Sequence, residues 1–189
     1  MTKFILHGGF EREDNELNRT FYQEIVSGLP ENAIILLVYF ASEYDDHREA
    51  FEDQKKRIIE IVNKSVTVEL ATKEDFTEQV LRADAVHFRG GHTPKLLAQL
   101  AKYPELKSLL KKKLTVSGSS AGAYALAKYG PGHSEKGIRE GLGLVPVRVV
   151  CHYESETMPP NAESYAELVN TAPELELVQL RDFEWRVFN

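Results

Sequence analysis

Apolar residues fall along this chain in short unbroken blocks, separated by stretches where they return every three or four positions. Ala33 to Phe40 is the longest block: Ala-Ile-Ile-Leu-Leu-Val-Tyr-Phe, with no charged position. A run of that kind suits a strand buried on both faces, as in the middle of a parallel sheet. Lys3 to His7, Val66 to Leu70, Ala85 to Phe88, Thr115 to Gly118 and Val147 to Cys151 are shorter blocks that predict further strands. Between them the spacing is helical. Glu16 to Ser27 sets Leu17, Phe21, Ile25 and Val26 on one face, and Pro30 and Asn32 end it. His47 to Asn63, Asp75 to Arg82, Pro94 to Tyr103 (Leu96, Leu97 and Leu100 inward), Ala121 to Lys128 and Glu163 to Asn170 predict the other helices. Gly130 to Gly137 reads as a loop. Leu175 to Leu180 and Trp185 to Phe188 predict two closing strands, paired as a hairpin.

Strand and helix alternate, and such repeats build a three-layer α/β/α sandwich around a mostly parallel central sheet. No linker or repeat divides the chain, so residues 1–189 are expected to form a single domain. In this class, sites lie at the carboxyl ends of strands. Three features fall there: Gly8-Gly9, Gly90-Gly91-His92 and Ser120.

Composition narrows the partners. A net charge of -6 argues against nucleic acid and against an anionic membrane surface. The basic cluster Lys107, Lys111, Lys112 and Lys113 reads as a solvated helix end. No segment is long and apolar enough to span a bilayer. The first residues run into a strand without a signal peptide's hydrophobic core, and the single Cys151 excludes an intramolecular disulfide. A cytoplasmic protein is the expectation.

The chemistry is concentrated at Gly118-Ser119-Ser120-Ala121-Gly122, a Gly-x-Ser-x-Gly between a predicted strand and a predicted helix. Small neighbours let the backbone turn sharply and lift the hydroxyl of Ser120 to the top of the sheet. The next N–H, that of Ala121, is then aimed where an oxyanion forms during acyl transfer. The bland alternative is a glycine-rich turn that only packs a helix on a sheet. A serine needs a base. Of six histidines, His152 ends a predicted strand, which places it narrowly ahead of His92 and His7. His47 reads as solvated, His87 as core and His133 as a loop residue. The orienting acid lies among Glu135 and Glu140, before His152, and Glu154 and Glu156, after it; Glu135 preserves the order serine, acid, histidine. A second oxyanion donor is available from Gly90 or Gly91. His-Glu-x-x-His and Cys-x-x-Cys are absent, and this chemistry calls for no metal and no cofactor. His7-Gly8-Gly9-Phe10 mimics the oxyanion motif of α/β-hydrolase esterases, but little chain follows Ser120 to carry that fold's later strands.

Three segments carry a family resemblance. Phe88-Arg89-Gly90-Gly91-His92-Thr93-Pro94-Lys95-Leu96-Leu97 resembles the Gly-Gly-Asn-Thr-x-x-Leu-Leu segment of the peptidase E and cyanophycinase family. Ser117 to Ala123 is similar to its nucleophile segment. Gly141-Leu142-Gly143-Leu144-Val145-Pro146, followed by Cys151-His152-Tyr153, resembles its Gly-Leu-Gly-Leu stretch and Pro-His-Phe/Tyr. The resemblance implies a class I glutamine amidotransferase-like, flavodoxin-like fold and a serine hydrolase that cleaves small peptides, Asp-x dipeptides among them. It implies Ser120 as nucleophile, His152 as general base, Glu135 as acid, and Gly91 and Ala121 as oxyanion donors, with Gly90 and His92 beside the substrate. His92 stands where the family has Asn, and Cys151 where it has Pro. The family's aspartate-recognising arginine has three candidates here: Arg139, Arg148 and Arg181. A small peptide is the implied partner, and the protein is expected as a monomer or small homo-oligomer. The competing reading is a non-catalytic, regulatory relative with a vestigial site.

Overall fold

The computed structural model describes residues 1–42, 47–132 and 136–189. Its first two thirds follow the alternation of apolar blocks and helical spacing: β1 (Lys3–His7), α1 (Glu16–Val26), β2 (Ala33–Val38), α2 (Arg48–Ile61), β3 (Val66–Leu70), α3 (Phe76–Arg82), β4 (Ala85–Phe88), α4 (Thr93–Leu100), α5 (Leu106–Leu110), β5 (Thr115–Ser119) and α6 (Ala121–Leu126). These strands form a six-stranded sheet in the order β10-β1-β5-β4-β2-β3, where β10 (Trp185–Phe188) comes from the chain end. All pairings are parallel except that of β10 with β1.

Alternate side chains of one strand serve different layers. Leu36 and Val38 of β2 join the core on one face with Phe76, Leu96, Leu110 and Ala123. Ile35 and Leu37 join Phe21, Tyr22, Ile25, Phe51 and Ile58 on the other. With both faces covered, the architecture is the expected three-layer sandwich. Helix α1 shows how a polar residue enters such a core. Its inward stripe is Asn18, Phe21, Tyr22, Ile25 and Val26, and the Asn15 side chain accepts from the Asn18 N–H as N-cap, an interaction that typically stabilises by about 1 kcal/mol. Leu17, expected inward, is 48% exposed, because Asn18 takes that position on the buried face.

Beyond α6 the structure departs from expectation in two ways. The helix stops at Leu126 and the chain enters β6 (Ala127–Pro131) at once. That strand starts a second sheet with β7 (Ile138–Glu140), β8 (Val145–Val150) and β9 (Glu176–Gln179), in the order β7-β6-β8-β9; α7 (Ala162–Asn170) lies between β8 and β9 in the chain. The closing strands are also not a hairpin. β9 lies parallel to β8, and β10 crosses back to β1. Val178 and Leu180 pack into one core while Trp185 and Val187 pack against the other, so burial separates the two strands. The crossing segment runs beside Gly8-Gly9: the Gly8 N–H donates to Glu184 O (2.8 Å) and the Phe183 N–H to Gly9 O (3.1 Å). Among the described residues no helix is long and apolar enough to cross a membrane.

Candidate active site

Ser120 follows β5 and opens α6 with φ 48° and ψ -106°, a conformation that L-residues adopt only under constraint. The flanking glycines make that turn possible. A Cβ on Gly118 would stand 2.3 Å from the Gly122 carbonyl carbon, and one on Gly122 would stand 2.0 Å from Phe88 O. Strand, turn and helix are thus packed backbone against backbone. The Ser120 N–H is held by His7 O at 2.9 Å. Ala121 is wholly buried. As the first helical residue it has an N–H with no acceptor inside α6.

His152 stands just past β8, also in the left-handed region (φ 55°), with its N–H on Gly8 O at 3.0 Å. Its Nε2 lies 3.1 Å from Ser120 Oγ and its Nδ1 lies 2.7 Å from Asp182 Oδ1. A carboxylate at Nδ1 fixes the proton there and leaves the Nε2 lone pair free to accept from the serine hydroxyl. The ring is walled in. The Phe10 ring meets it edge-on at 5.0 Å. Gly9, at φ 130°, packs so closely that a Cβ would fall 2.0 Å from His152 Cε1. The Gly9 N–H donates to His7 Nδ1, so this glycine pair supports the imidazole and the β1 end instead of forming an esterase-type oxyanion hole. Tyr124 accepts from the Cys151 N–H at 3.0 Å and pins the residue before His152.

The carboxylate beside His152 is therefore Asp182, 30 residues after it. Glu135 lies outside the described residues. Glu140 pairs with Lys128, and Glu154 pairs with Arg181. The order of the three groups is serine, histidine, acid. Asp182 sits just past β9, the parallel neighbour of β8, so the strand-end rule that selected His152 also selects it. A hairpin of β9 and β10, the pairing that the sequence pattern predicts, makes Asp182 a turn residue and gives no signal for it.

Gly91 has φ 143°, and a Cβ there would meet Ala41 O at 2.4 Å. The position needs glycine. Gly90 approaches Ser120, with 3.4 Å between its notional Cβ and that of the serine. His92 caps α4, accepting the Lys95 N–H on Nδ1 at 3.3 Å. A cavity of about 550 Å³ brings together Ser120, His152, Gly90, Gly91 and His92, with Phe10, Arg89 and Arg139 also in its wall. Of the three arginine candidates, only Arg139 lines this space. Arg148 is buried and donates to the carbonyls of Leu168, Val169 and Leu175, while Arg181 pairs with Glu154 and Glu184 on the surface.

His7 and His87 are structural in their contacts. His7 Nδ1 accepts from Gly9, so its Nε2 carries the proton and donates to Asn18 Oδ1 at 2.9 Å. Burial, opposed by Glu11 and Asn18, lowers its pKa to about 4 and keeps it neutral. His87 is fully buried against Ser117 and Glu11. Burial also pushes the Cys151 thiol up, which leaves it protonated behind the serine. Among the described residues no group of His, Cys, Asp and Glu could hold a metal ion.

The chain as a whole is similar to known proteins. The family model of peptidase family S51 matches residues 4–188. A crystal structure of a peptidase from an acI-B1 actinobacterium superposes with a TM-score of 0.76 at 18% identity, over 100% of this chain and 84% of that one. A protein assigned to peptidase E from Listeria monocytogenes EGD-e superposes with a TM-score of 0.67 at 18% identity, over 100% of this chain and 97% of that one. At these identities the likeness is one of fold. No protein of curated function matches the chain.

Proposed function

The chain belongs to peptidase family S51, a family of serine-type peptidases, and from that premise we propose that it cleaves the amide bond of small peptides, Asp-x dipeptides among them, through an acyl-enzyme on Ser120. One observation carries this reading: Ser120 Oγ, His152 Nε2, His152 Nδ1 and Asp182 Oδ1 form a continuous relay, 3.1 Å and 2.7 Å long at its two links.

In the proposed reaction the Ser120 oxygen attacks the scissile carbonyl as its proton passes to His152 Nε2. Asp182 holds the imidazole in the required tautomer and stabilises the imidazolium that forms. The carbonyl oxygen becomes negative and is met by the N–H groups of Gly91 and Ala121, each such donor being worth roughly a hundredfold or more in rate. His152 then gives its proton to the leaving amine. Water enters, loses a proton to His152, and attacks the ester; the returning proton restores Ser120. Asp182 takes the role that the sequence reading assigned to Glu135.

A panel of dipeptides tests the reading, with the wild-type protein assayed beside Ser120→Ala. Turnover that vanishes in the variant, while its circular dichroism matches wild type, is the expected result. Turnover that persists in Ser120→Ala would sink Ser120 as the nucleophile, and no turnover of any dipeptide would sink the reading in favour of a regulatory relative with a vestigial site.

A further inference from the structure

Two adjacent glycines leave a segment free to aim its N–H groups in many directions. The direction of Gly90 and Gly91 is therefore set by the residues on either side of them. Behind them, the His92 N–H is fixed on Ala41 O at 2.8 Å. In front of them, the Arg89 N–H donates to Val38 O at 3.0 Å, and the guanidinium lies over the Tyr39 ring, 4.6 Å from the centroid. The Arg89 side chain is only 15% exposed, and its Nε stands 3.6 Å from Glu11 Oε1.

Glu11 is buried, and its other oxygen lies 2.7 Å from His87 Nε2 on β4. His87 Nδ1 in turn lies 2.9 Å from Ser117 Oγ on β5. Burial opposes a charge on Glu11, yet His87, His7 and Arg89 together hold its carboxyl below the ordinary range, so it is an anion at neutral pH. The same residue belongs to the turn after β1 that carries Gly9 and Phe10 against the His152 ring. Helix α1 fixes that turn: the Tyr22 hydroxyl donates to Glu11 O at 3.2 Å, and Asn18 Nδ2 donates to Phe10 O at 2.9 Å. Apolar side chains of similar volume often replace a buried ion pair without loss of stability. What they do not supply is a fixed direction between two walls of a cavity. We propose that Glu11 is a positioning residue that, through Arg89, sets the Gly91 N–H against the turn that holds His152, so that oxyanion donor and general base keep one separation. This rests on the serine-peptidase reading above.

The test compares wild type, Glu11→Gln, Arg89→Gln, Arg89→Lys and the double variant Glu11→Gln/Arg89→Gln. It measures kcat and KM on Asp-Ala, with kcat expressed per Ser120 labelled at completion by a fluorophosphonate, so that misfolded protein does not count. The rate of that labelling is a second reading, since phosphonylation also builds negative charge on an oxygen in the oxyanion hole. Glu11→Gln and Arg89→Gln are each expected to lose about 30-fold in kcat and in labelling rate, with KM within about twofold, because an oxyanion donor acts in the transition state. The double variant falls no more than about threefold below either single one, since both substitutions break the same link. Arg89→Lys returns the cation and recovers part of the rate. Should Glu11→Gln fail to fold, Arg89→Gln decides, and a rate equal to wild type overturns the proposal. Losses that multiply to about 1,000-fold in the double variant, a loss carried by KM, or single variants as fast as wild type overturn the role of Glu11 and leave the serine peptidase standing. If wild type is labelled but does not cut Asp-Ala, the labelling rates of the variants decide in the same way. A wild type that neither cuts nor is labelled overturns both readings.

Discussion

Ser120 sits at φ 48° with its oxygen 3.1 Å from His152 Nε2, and the carboxylate on the other nitrogen of that ring belongs to Asp182, 30 residues further along the chain. Asp182 and Glu135 can be told apart by kinetics. Asp182→Asn should lower kcat by roughly three to four orders of magnitude, since an amide at Nδ1 favours the wrong tautomer. Glu135→Gln should stay within about threefold of wild type. The opposite pattern would return the acid role to Glu135. His7 supplies a second prediction at this scale. Burial takes its pKa from 6.5 to about 4 in the folded protein. Between those values the unfolded chain binds a proton that the folded chain refuses. Its contribution is therefore complete above the unfolded value and is lost as pH falls through the folded one, by about 2 kcal/mol at about pH 5. Urea titrations of wild type and His7→Gln across this window check it. The variant starts less stable at neutral pH but has the shallower slope, and parallel curves would count against the assignment.

The element that governs the imidazole is the turn after β1. A Cβ at Gly9 would occupy the space of the His152 ring, and φ there is 130°. Gly9→Ala is expected to cost at least a hundredfold in kcat, because an imidazole moved by about 1 Å no longer reaches the serine. Loss of fluorophosphonate labelling with retained secondary structure would confirm that the damage is local; a fully active variant would mean that the ring has room elsewhere. The elements of the main sheet were legible because buried parallel strands such as Ala33–Val38 write themselves as unbroken apolar runs. The sharp turn at Ser120, the histidine at a strand end and the glycine pair at Gly90-Gly91 are legible for a related reason, since close backbone approach admits few residue types. What the pattern did not encode was partnership between strands. Val178 and Trp185 both look like half-buried strand residues, and nothing local says that one belongs beside β8 and the other near β1. Helix α6 was extended too far because Ala127 and Lys128 suit a helix as well as a strand.

At the scale of the whole molecule, the site joins two sheets. Ser120 comes from the central sheet, while His152 and Asp182 stand at the ends of β8 and β9 in the smaller one. The segment after Asp182 fastens them together, bonding to Gly8 and Gly9 and then pairing Trp185–Phe188 along β1. Removing residues 184–189 would uncover the β1 edge and release Asp182 from His152, so the truncated chain should lose activity and gain a tendency to aggregate through that edge. Light scattering beside a dipeptidase assay reads both effects, and a soluble, active truncation would refute the fastening role. The central claim is narrower: one of several neighbouring serines is the nucleophile because of where this architecture puts it. Peptide mapping by mass spectrometry after treatment with a fluorophosphonate tests that claim most directly. The account predicts a single adduct on Ser120, absent from Ser120→Ala, with Ser117 and Ser119 unmodified. An adduct on either of those two, or none on the folded protein, would contradict it.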